Sequence, residues 1–452
     1  MFALTERTVR EAIGLAGGSE RLYSAVSTDT RTLTAGSLFV ALDGDRFDGH
    51  DFLASARATG AVAAIVRTGT SPVEGLLLHQ VADPLRAYGL LARARRRTLP
   101  GPVIAVTGTN GKTSTKEMVA AVLRTRYRTH ATRANLNNLV GVPQTILAAA
   151  PDVEALVIEA GASRPGEIAR YREIIEPLLA IVTNAVAGHL VGFGSLQTVL
   201  DEKLSLTRQV PLVLVGLEPE GLAEGARALG AETVLTVGLR GADLSPEAVT
   251  VGPDGHPTVT VDGRSFVLPL LGRHQAANAL FAWGVARLLG LDLDAAARAL
   301  EQVRIPGGRV EILRVGGLTI INDSYNANPQ SFRAAIEVAR QLRGTRRLVF
   351  VAGTMLELGA DQARLHHEVA EQLVALGPDI LAVVGEFVPA LAPWAAELGD
   401  RLVTAADLPA LGALLAERLR GDELVVLKAS RGVALERILP AITGPAAPSA
   451  EV

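Results

Sequence analysis

The chain has 452 residues, 48% of them hydrophobic, a formal charge of −3 and no cysteine. At roughly 150 residues per domain this length suggests about three domains. The near-neutral charge gives no global attraction to nucleic acid or an anionic membrane, and the missing cysteines exclude disulfides, thiolate metal sites and cysteine nucleophiles.

In chain order, Glu6, Arg7, Arg10 and Glu11 interrupt the first apolar stretch, which argues against a signal peptide. No apolar run approaches the ~20 residues that span a bilayer, so a soluble cytoplasmic protein is expected. Arg93-Ala-Arg-Arg-Arg-Thr-Leu-Pro-Gly-Pro102 is a basic helix end meeting a Pro/Gly break, and it marks a first boundary near residue 98. Its arginines read as complements of a helix C-terminus rather than a nucleic-acid patch. Segment 99–308 alternates short apolar runs with helical stretches. Strands are predicted at Val103–Thr107, Ala155–Glu159, Ala180–Thr183 and Pro211–Val215, as for buried parallel strands. Pro257–Val261 and Ser265–Leu270 flank Asp262-Gly263, a hairpin signal. A helix ending near Val303 precedes Ile305-Pro-Gly-Gly-Arg309, the second boundary. Segment 309–443 alternates again, with strands predicted at Leu318–Asn322, Leu348–Ala352, Ile380–Val384 and Glu423–Lys428. The fold class is α/β, and this last segment reads as a second doubly wound unit. Gly444-Pro-Ala-Ala-Pro-Ser-Ala-Glu-Val452 reads as a disordered tail.

Arginine and lysine together number 44, yet only Lys112, Lys116, Lys203 and Lys428 are lysine. A generic solvated cation in this chain is an arginine. A lysine that persists therefore suggests a need for a compact ammonium, or for an amine whose pKa can shift. Lys112 lies in Gly108-Thr-Asn-Gly-Lys-Thr113, between a strand and a helix. Backbone N–H groups at such a helix start cradle phosphate oxygens. Lys112 can reach the β/γ-phosphates and the Thr113 hydroxyl can ligate Mg²⁺. The loop is a shortened variant of G-x-x-x-x-G-K-[ST], because Val106 stands five residues before Gly111. It indicates nucleotide binding and leaves the phosphoryl acceptor open: water, a hydroxyl or a carboxylate.

Glu159 ends a predicted strand, where a parallel sheet binds ligands. His189 follows the next strand toward the same edge, and Lys203 lies 14 residues later. His189 is either a loop histidine or a metal ligand. Lys203 is either a salt-bridge partner of Asp201 or Glu202, or part of a shared metal site. An ammonium is a poor Mg²⁺ partner, so Lys203 would serve only as a carbamate, which presents oxygens.

Thr107-Gly-Thr-Asn-Gly-Lys-Thr113 resembles the ATP loop of the Mur ligases, the amide-forming enzymes of peptidoglycan precursor synthesis. The resemblance extends through Ser27-Thr-Asp-Thr-Arg31, Phe39-Val-Ala-Leu-Asp-Gly-Asp-Arg-Phe-Asp-Gly-His50, Asn135-Leu-Asn-Asn138 with Gly141-Val-Pro143, and Gly272-Arg-His274 with Asn278. It continues in Pro306-Gly-Gly-Arg309 and Lys428-Ala-Ser-Arg431. Asp323-Ser-Tyr-Asn-Ala-Asn-Pro329 is similar to the mark of the MurF branch, which adds D-alanyl-D-alanine.

The resemblance implies three domains. Residues 1–98 form a small α/β UDP-sugar domain, 99–308 a P-loop-type ATPase domain with a mainly parallel sheet, and 309–443 a Rossmann-like dipeptide domain. It implies a monomer using ATP and two Mg²⁺ ions to join UDP-N-acetylmuramoyl-tripeptide to D-alanyl-D-alanine through an acyl phosphate. Neither nucleic acid nor membrane insertion is implied. Gly108, Thr109, Asn110, Gly111, Lys112, Thr113, Ser114, Asn278, Arg309 and Asp323 would hold ATP. Thr113 and Glu159 would hold one Mg²⁺; His189 and carbamoylated Lys203 would hold the other. Ser27, Thr30, Arg31, Asp48, Gly49, His50, Asn137, Asn138, Asn326, Asn328, Lys428, Ser430 and Arg431 would meet substrate. The chain departs from the usual pattern at Val191, Ala160, Thr354 and Ala429, where the family commonly shows glutamate, methionine, aspartate and glycine. Alternative readings are a Mur-type or folate-polyglutamylating ligase for another amine, a nucleotide-switch ATPase, and a phosphotransferase that stops at a phosphorylated product.

Overall fold

A computed structural model describes residues 4–44, 47–305 and 311–444, together with the backbone of Ser449 and Ala450. Arg309 lies outside the described residues, as does the tail apart from Gly444 and that Ser449–Ala450 pair.

The first sheet is four-stranded, in the order β1 (Val26–Ser27), β2 (Ser37–Val40), β3 (Ala61–Arg67), β4 (Leu77–Val81), and parallel throughout. Both faces are covered. Leu38, Val40, Ala63 and Ile65 pack with Tyr88 and Leu91 of the helix Pro84–Arg96. Their alternates Phe39, Ala41, Ala64 and Val66 pack with Leu53 and Ala56 of the helix Leu53–Thr59. Period-two alternation is thus hidden in near-continuous apolar runs, as in other parallel sheets.

The second sheet holds β5 (Val103–Thr107), β6 (Thr129–Ala131), β7 (Ala155–Glu159), β8 (Leu179–Val182), β9 (Leu212–Val215) and β10 (Thr233–Thr236). Its order is β10-β9-β8-β5-β7-β6. Strands β7 and β6 lie on one side of β5 and β8, β9 and β10 on the other, so the winding switches sides at β5, and the phosphate loop leaves that strand. Ligands of open α/β sheets bind outside strand ends at such a switch point. A three-stranded antiparallel sheet follows, of β11 (Ala248–Val251), β12 (Pro257–Val261) and β13 (Arg264–Val267). Its turn is the predicted Asp262-Gly263, with φ of 49° and 70°; a two-residue hairpin needs both positive.

The last sheet contains β14 (Glu311–Val315), β15 (Leu318–Asp323), β16 (Leu348–Ala352), β17 (Ile380–Val383), β18 (Leu402–Thr404), β19 (Leu424–Lys428) and β20 (Ser449–Ala450). The order is β18-β17-β16-β19-β15-β14-β20. From β18 to β15 all pairs are parallel, and β14 and β20 are antiparallel at the edge. Apolar layers cover both faces, so the doubly wound reading of this segment holds. Within the tail, Ser449–Ala450 pairs with β14 where no regular structure was expected.

The chain divides into two compact units. One comprises Met1–Val106, Arg126–Ala162 and Gly166–Ala180; the other comprises Thr107–Thr125, Ser163–Pro165 and Ile181–Val452. In the first, the arginines of residues 93–97 serve other helices rather than their own. Arg95 donates to the carbonyls of Ala149 and Ala150, beyond the helix Gly141–Leu147. Arg96 donates to those of Ile175 and Glu176, at the end of the helix Glu167–Ile175. The last carbonyls of a helix lack internal partners and carry partial negative charge. Arg97 and Arg93 bind the Glu176 carboxylate, and these bonds hold it down at about 2. Replacing Arg96 by Met should destabilise this unit by about 1.5–3 kcal/mol, because two carbonyls lose a charged donor. Arg97→Ala, at a 57% exposed side chain, should cost at most about 1 kcal/mol. Urea unfolding followed by hydrogen exchange of the Glu167–Ile175 amides distinguishes the two variants.

Candidate active site

The phosphate loop is built on two glycines. Gly108 has φ 142°, and a Cβ there would lie 2.0 Å from Thr183 Oγ1. Gly111 has φ 77°, and a Cβ there would lie 2.5 Å from Asn278 Oδ1. Thr109 N–H donates to the Asn184 carbonyl at 3.1 Å, and Asn110 N–H to Asn184 Oδ1 at 3.0 Å. Thr109 Oγ1 donates to Val186 O. Thr113 and Ser114 are buried in the first turn of the helix Lys112–Leu123. Lys112 Nζ donates to the carbonyls of Gly108 and Thr109 at 2.8 and 2.9 Å, so the ammonium is held over its own loop.

His189 and Lys203 belong to the same unit. Lys203 is 2% exposed, on the helix Leu196–Leu204, with Nζ 5.5 Å from the Phe193 ring centroid. Burial and the nearby Lys112 ammonium push the His189 imidazole below its ordinary value; Glu357 opposes this and Lys203 adds to it. His189 Nδ1 is hydrogen-bonded to Glu357 Oε2. The structure therefore groups Lys112, His189 and Lys203.

In the other unit Glu159 is 1% exposed at the end of β7. Asn137 Nδ2 donates to its Oε1 at 2.8 Å. Asn138 Oδ1 accepts from Val140 and Gly141 N–H, so its side chain starts a helix. Asp48, Gly49 and His50 cluster tightly. Asp48 Oδ1 lies 2.6 Å from His50 Nδ1, and His50 Nε2 accepts from Arg67 N–H. A Cβ at Gly49 would meet Leu42 N at 2.6 Å. Ser27 and Thr30 lie in the neighbouring turn, where Ser27 Oγ bonds Thr32 and Asp29. Arg31 is chelated by Asp29 and extends into solvent.

The remaining assigned residues form the second unit's asparagine loop and its supports. Lys428, 1% exposed, binds Asp323 Oδ2 at 2.8 Å and the carbonyls of Asp323 and Asn326 at 3.2 and 2.6 Å. Asn326 Oδ1 accepts from Ala327 N–H. Asn328 Oδ1 accepts from Ser331 N–H and so caps the helix Pro329–Arg343. Ser430 Oγ accepts from Leu356 N–H at 2.9 Å. Arg431 sits over the Tyr325 ring and pairs with Glu436. Thus Asp323, Lys428 and Ser430 are engaged internally. Asn278 sits against Gly111, with Nδ2 donating to Gln275. His274 opens the helix His274–Leu288, and burial pushes its imidazole down against the pull of Asp323.

The asparagine loop meets the phosphate loop directly. Asn328 Nδ2 donates to Asn110 Oδ1 at 2.7 Å, and Asn110 Nδ2 donates to Gln330 Oε1 at 2.5 Å. Gln330 Nε2 in turn donates to Glu218. Gln330, Glu218, Asn184 and Glu357 escaped the sequence reading. Only Asn184, directly beyond a predicted strand, carried a local signal. Among the departures, Val191 is exposed and Ala160 buried. Thr354 Oγ1 accepts from Glu386 N–H, and Ala429 packs against Gly353.

Three family models match the chain. They are the Mur ligase family, catalytic domain, over residues 22–95; the Mur ligase middle domain over 106–286; and the Mur ligase, glutamate ligase domain over 308–431. The UDP-N-acetylmuramoyl-tripeptide--D-alanyl-D-alanine ligase of Bacillus subtilis (strain 168) is 33% identical over 452 residues, covering 96% of this chain and 98% of its own. The chain belongs to the Mur ligase family. A MurF crystal structure from Acinetobacter baumannii superposes with a TM-score of 0.89 at 28% identity, covering 98% of this chain and 99% of that one. The MurF ligase of Thermotoga maritima, solved in complex with ADP, gives a TM-score of 0.81 at 28% identity, covering 93% of this chain and 97% of that one. Within the Mur ligases the chain falls in the MurF branch, and it is a ligase.

One support of the site is pH-sensitive. His366 is fully buried, Nδ1 donates to Gln362 O at 2.7 Å, and Nε2 accepts from Met355 N–H at 2.9 Å. Only the neutral ring can do both, and burial lowers its pKa. The unfolded chain therefore binds the extra proton first. The stabilisation is complete above about 6.5, the ordinary histidine value, and is lost as pH falls toward the lowered one. The Met355 amide should lose hydrogen-exchange protection selectively between pH 7.5 and 5.5. In His366→Leu it should be weakly protected at both.

Proposed function

We propose that this chain joins D-alanyl-D-alanine to UDP-N-acetylmuramoyl-tripeptide at the expense of ATP, with residues 1–98, 99–308 and 309–443 as sugar-nucleotide, ATP and dipeptide domains. The observation that carries this is the direct bonding of Asn328 and Gln330 to Asn110 of the phosphate loop. It ties the loop characteristic of the D-alanyl-D-alanine-adding branch to the place where a γ-phosphate would lie. A switch ATPase has no need of that link.

Lys112 and the N-terminus of the helix Lys112–Leu123 hold the β/γ-phosphates, with Asn278, Arg309 and Asp323 on the nucleotide. The terminal carboxylate of the tripeptide attacks the γ-phosphorus. A P–O bond forms as the bond to the ADP oxygen breaks, giving an acyl phosphate. The dipeptide amine then attacks the acyl carbon, loses its proton, and phosphate leaves with the C–O bond pair. Positioning and charge stabilisation dominate such transfers. A fixed ammonium at Lys112 meets charge already placed rather than reorganising during the step.

Two of the proposed donors are oxygens, which Mg²⁺ prefers. Thr113 offers a hydroxyl and Glu159 a carboxylate; His189 offers an imidazole. Unmodified Lys203 does not fit, whereas its carbamate does. When bound, Mg²⁺ neutralises charge on the transferring phosphoryl group. Ser27, Thr30, Arg31, Asp48, Gly49 and His50 hold the sugar nucleotide, and Asn137 and Asn138 lie near substrate or nucleotide. Asn326, Lys428, Ser430 and Arg431 shape the dipeptide side. The protein acts as a soluble cytoplasmic monomer; among the described residues no helix is long and apolar enough to cross a membrane.

Phosphate release should require both UDP-tripeptide and D-alanyl-D-alanine, and mass spectrometry should find the ligated pentapeptide. Release without the dipeptide would point to a switch ATPase, and a stable phosphorylated product to a phosphotransferase. Lys112→Ala and Lys112→Arg should both lose most turnover while remaining folded, since a planar fork cannot replace a point charge curled over the loop. Lys203→Ala should be nearly inactive and partly restored by short carboxylates. Restoration by methylamine, or full activity in CO₂-depleted buffer, would overturn the carbamate.

A further inference from the structure

Glu357 approaches His189 from the loop after β16. Three contacts fix that loop. Met355 N–H donates to His366, Leu356 N–H donates to Ser430, and the Glu357 carbonyl accepts from Val191 N–H at 3.3 Å. Glu357 has φ 64° and His189 φ 55°. Non-glycine residues held there cost of order 1–3 kcal/mol each, and these two meet side chain to side chain. Their side chains are 56% and 35% exposed. Exposed ion pairs contribute about 0–1 kcal/mol, so stability gained from the pair does not account for two strained backbones.

The carboxylate can only accept from the ring, so Nδ1 carries a proton, and in the neutral ring Nε2 then keeps its lone pair. We infer that Glu357 is a positioning residue, fixing the ligating tautomer of His189 and making Mg²⁺ retention depend on the docking of the Met355–Glu357 loop. This rests on the reading of His189 as a Mg²⁺ ligand. Carboxylates that receive the second ring N–H of a metal-bound histidine orient it, and their loss typically costs 10–100-fold in metal affinity or activity.

The test is Mg²⁺-dependent binding of a non-hydrolysable ATP analogue to the full chain, followed by calorimetry. Wild type is compared with Glu357→Ala, Glu357→Met, Glu357→Gln, His189→Ala and the His189→Ala/Glu357→Ala double variant, each with its melting temperature. Glu357→Ala should raise the Mg²⁺ midpoint about 10–100-fold. Glu357→Met, which keeps side-chain bulk, should do the same should the alanine variant unfold. Glu357→Gln retains an acceptor and should recover much of the loss. The double variant should match His189→Ala alone. A midpoint within about twofold of wild type in the Ala and Met variants, with His189→Ala shifted, overturns the positioning role and leaves the ligand reading standing. Fully additive shifts in the double variant also overturn it. No shift in His189→Ala removes the ligand reading itself.

Discussion

One buried ammonium organises the second unit. Lys428 Nζ lies among the Asp323 carboxylate and the carbonyls of Asp323 and Asn326. Removing one partner of a buried ion pair strands the other charge, at a cost of about 3–5 kcal/mol. Here the cost would spread. The bound carbonyls fix the loop that ends at Asn328, and Asn328 both caps the helix Pro329–Arg343 and bonds Asn110. Two residues beyond Lys428, Ser430 holds Leu356 and therefore the approach to Glu357. Phosphate-loop and histidine contacts thus share one electrostatic anchor at the end of β19.

That anchor explains the scarcity of lysine. Lys116, Lys203 and Lys428 are at most 2% exposed, and Lys112 bends over two carbonyls of its own loop. Each site offers a small cage of oxygens or a buried slot, where a compact donor fits and a planar fork does not. Arginine takes the helix-capping work, where Arg95 and Arg96 each reach two neighbouring carbonyls. The split follows geometry: point-like sites take lysine and forked sites take arginine.

The legible parts of the sequence were those whose physics is local. Strands such as Val103–Thr107, Ala155–Glu159 and Leu348–Ala352 are buried on both faces, so composition and length betrayed them. The phosphate loop was visible because glycine, lysine and threonine must be consecutive to cradle phosphate. No strand of the first sheet was named, although β2 is buried throughout, and β6, β10, β11, β14, β18 and β20 escaped notice as well. Thr129–Ala131 and Leu402–Thr404 have three residues each, and Ala248–Val251 and Glu311–Val315 are largely half-exposed. Such edges form because a neighbour is present, not because their own sequence demands it.

Contacts across the second unit were illegible for a related reason. Asn110 meets Gln330 across 220 positions, Gln330 meets Glu218 across 112, and His189 meets Glu357 across 168. Nothing in a polar side chain's local pattern names so distant a partner. Yet these pairs share one property: each joins the ATP-loop half of the unit to the helix and loop segments that follow residue 310. Glu357 adds backbone in the left-handed region, which the site sustains only while His366, Ser430 and Val191 hold the loop. A fold that stabilised each half alone would not need that expense. Strain concentrated where the halves touch is what joint positioning of nucleotide and dipeptide would call for, since an activated acyl group and an amine would meet only in a geometry neither half defines by itself.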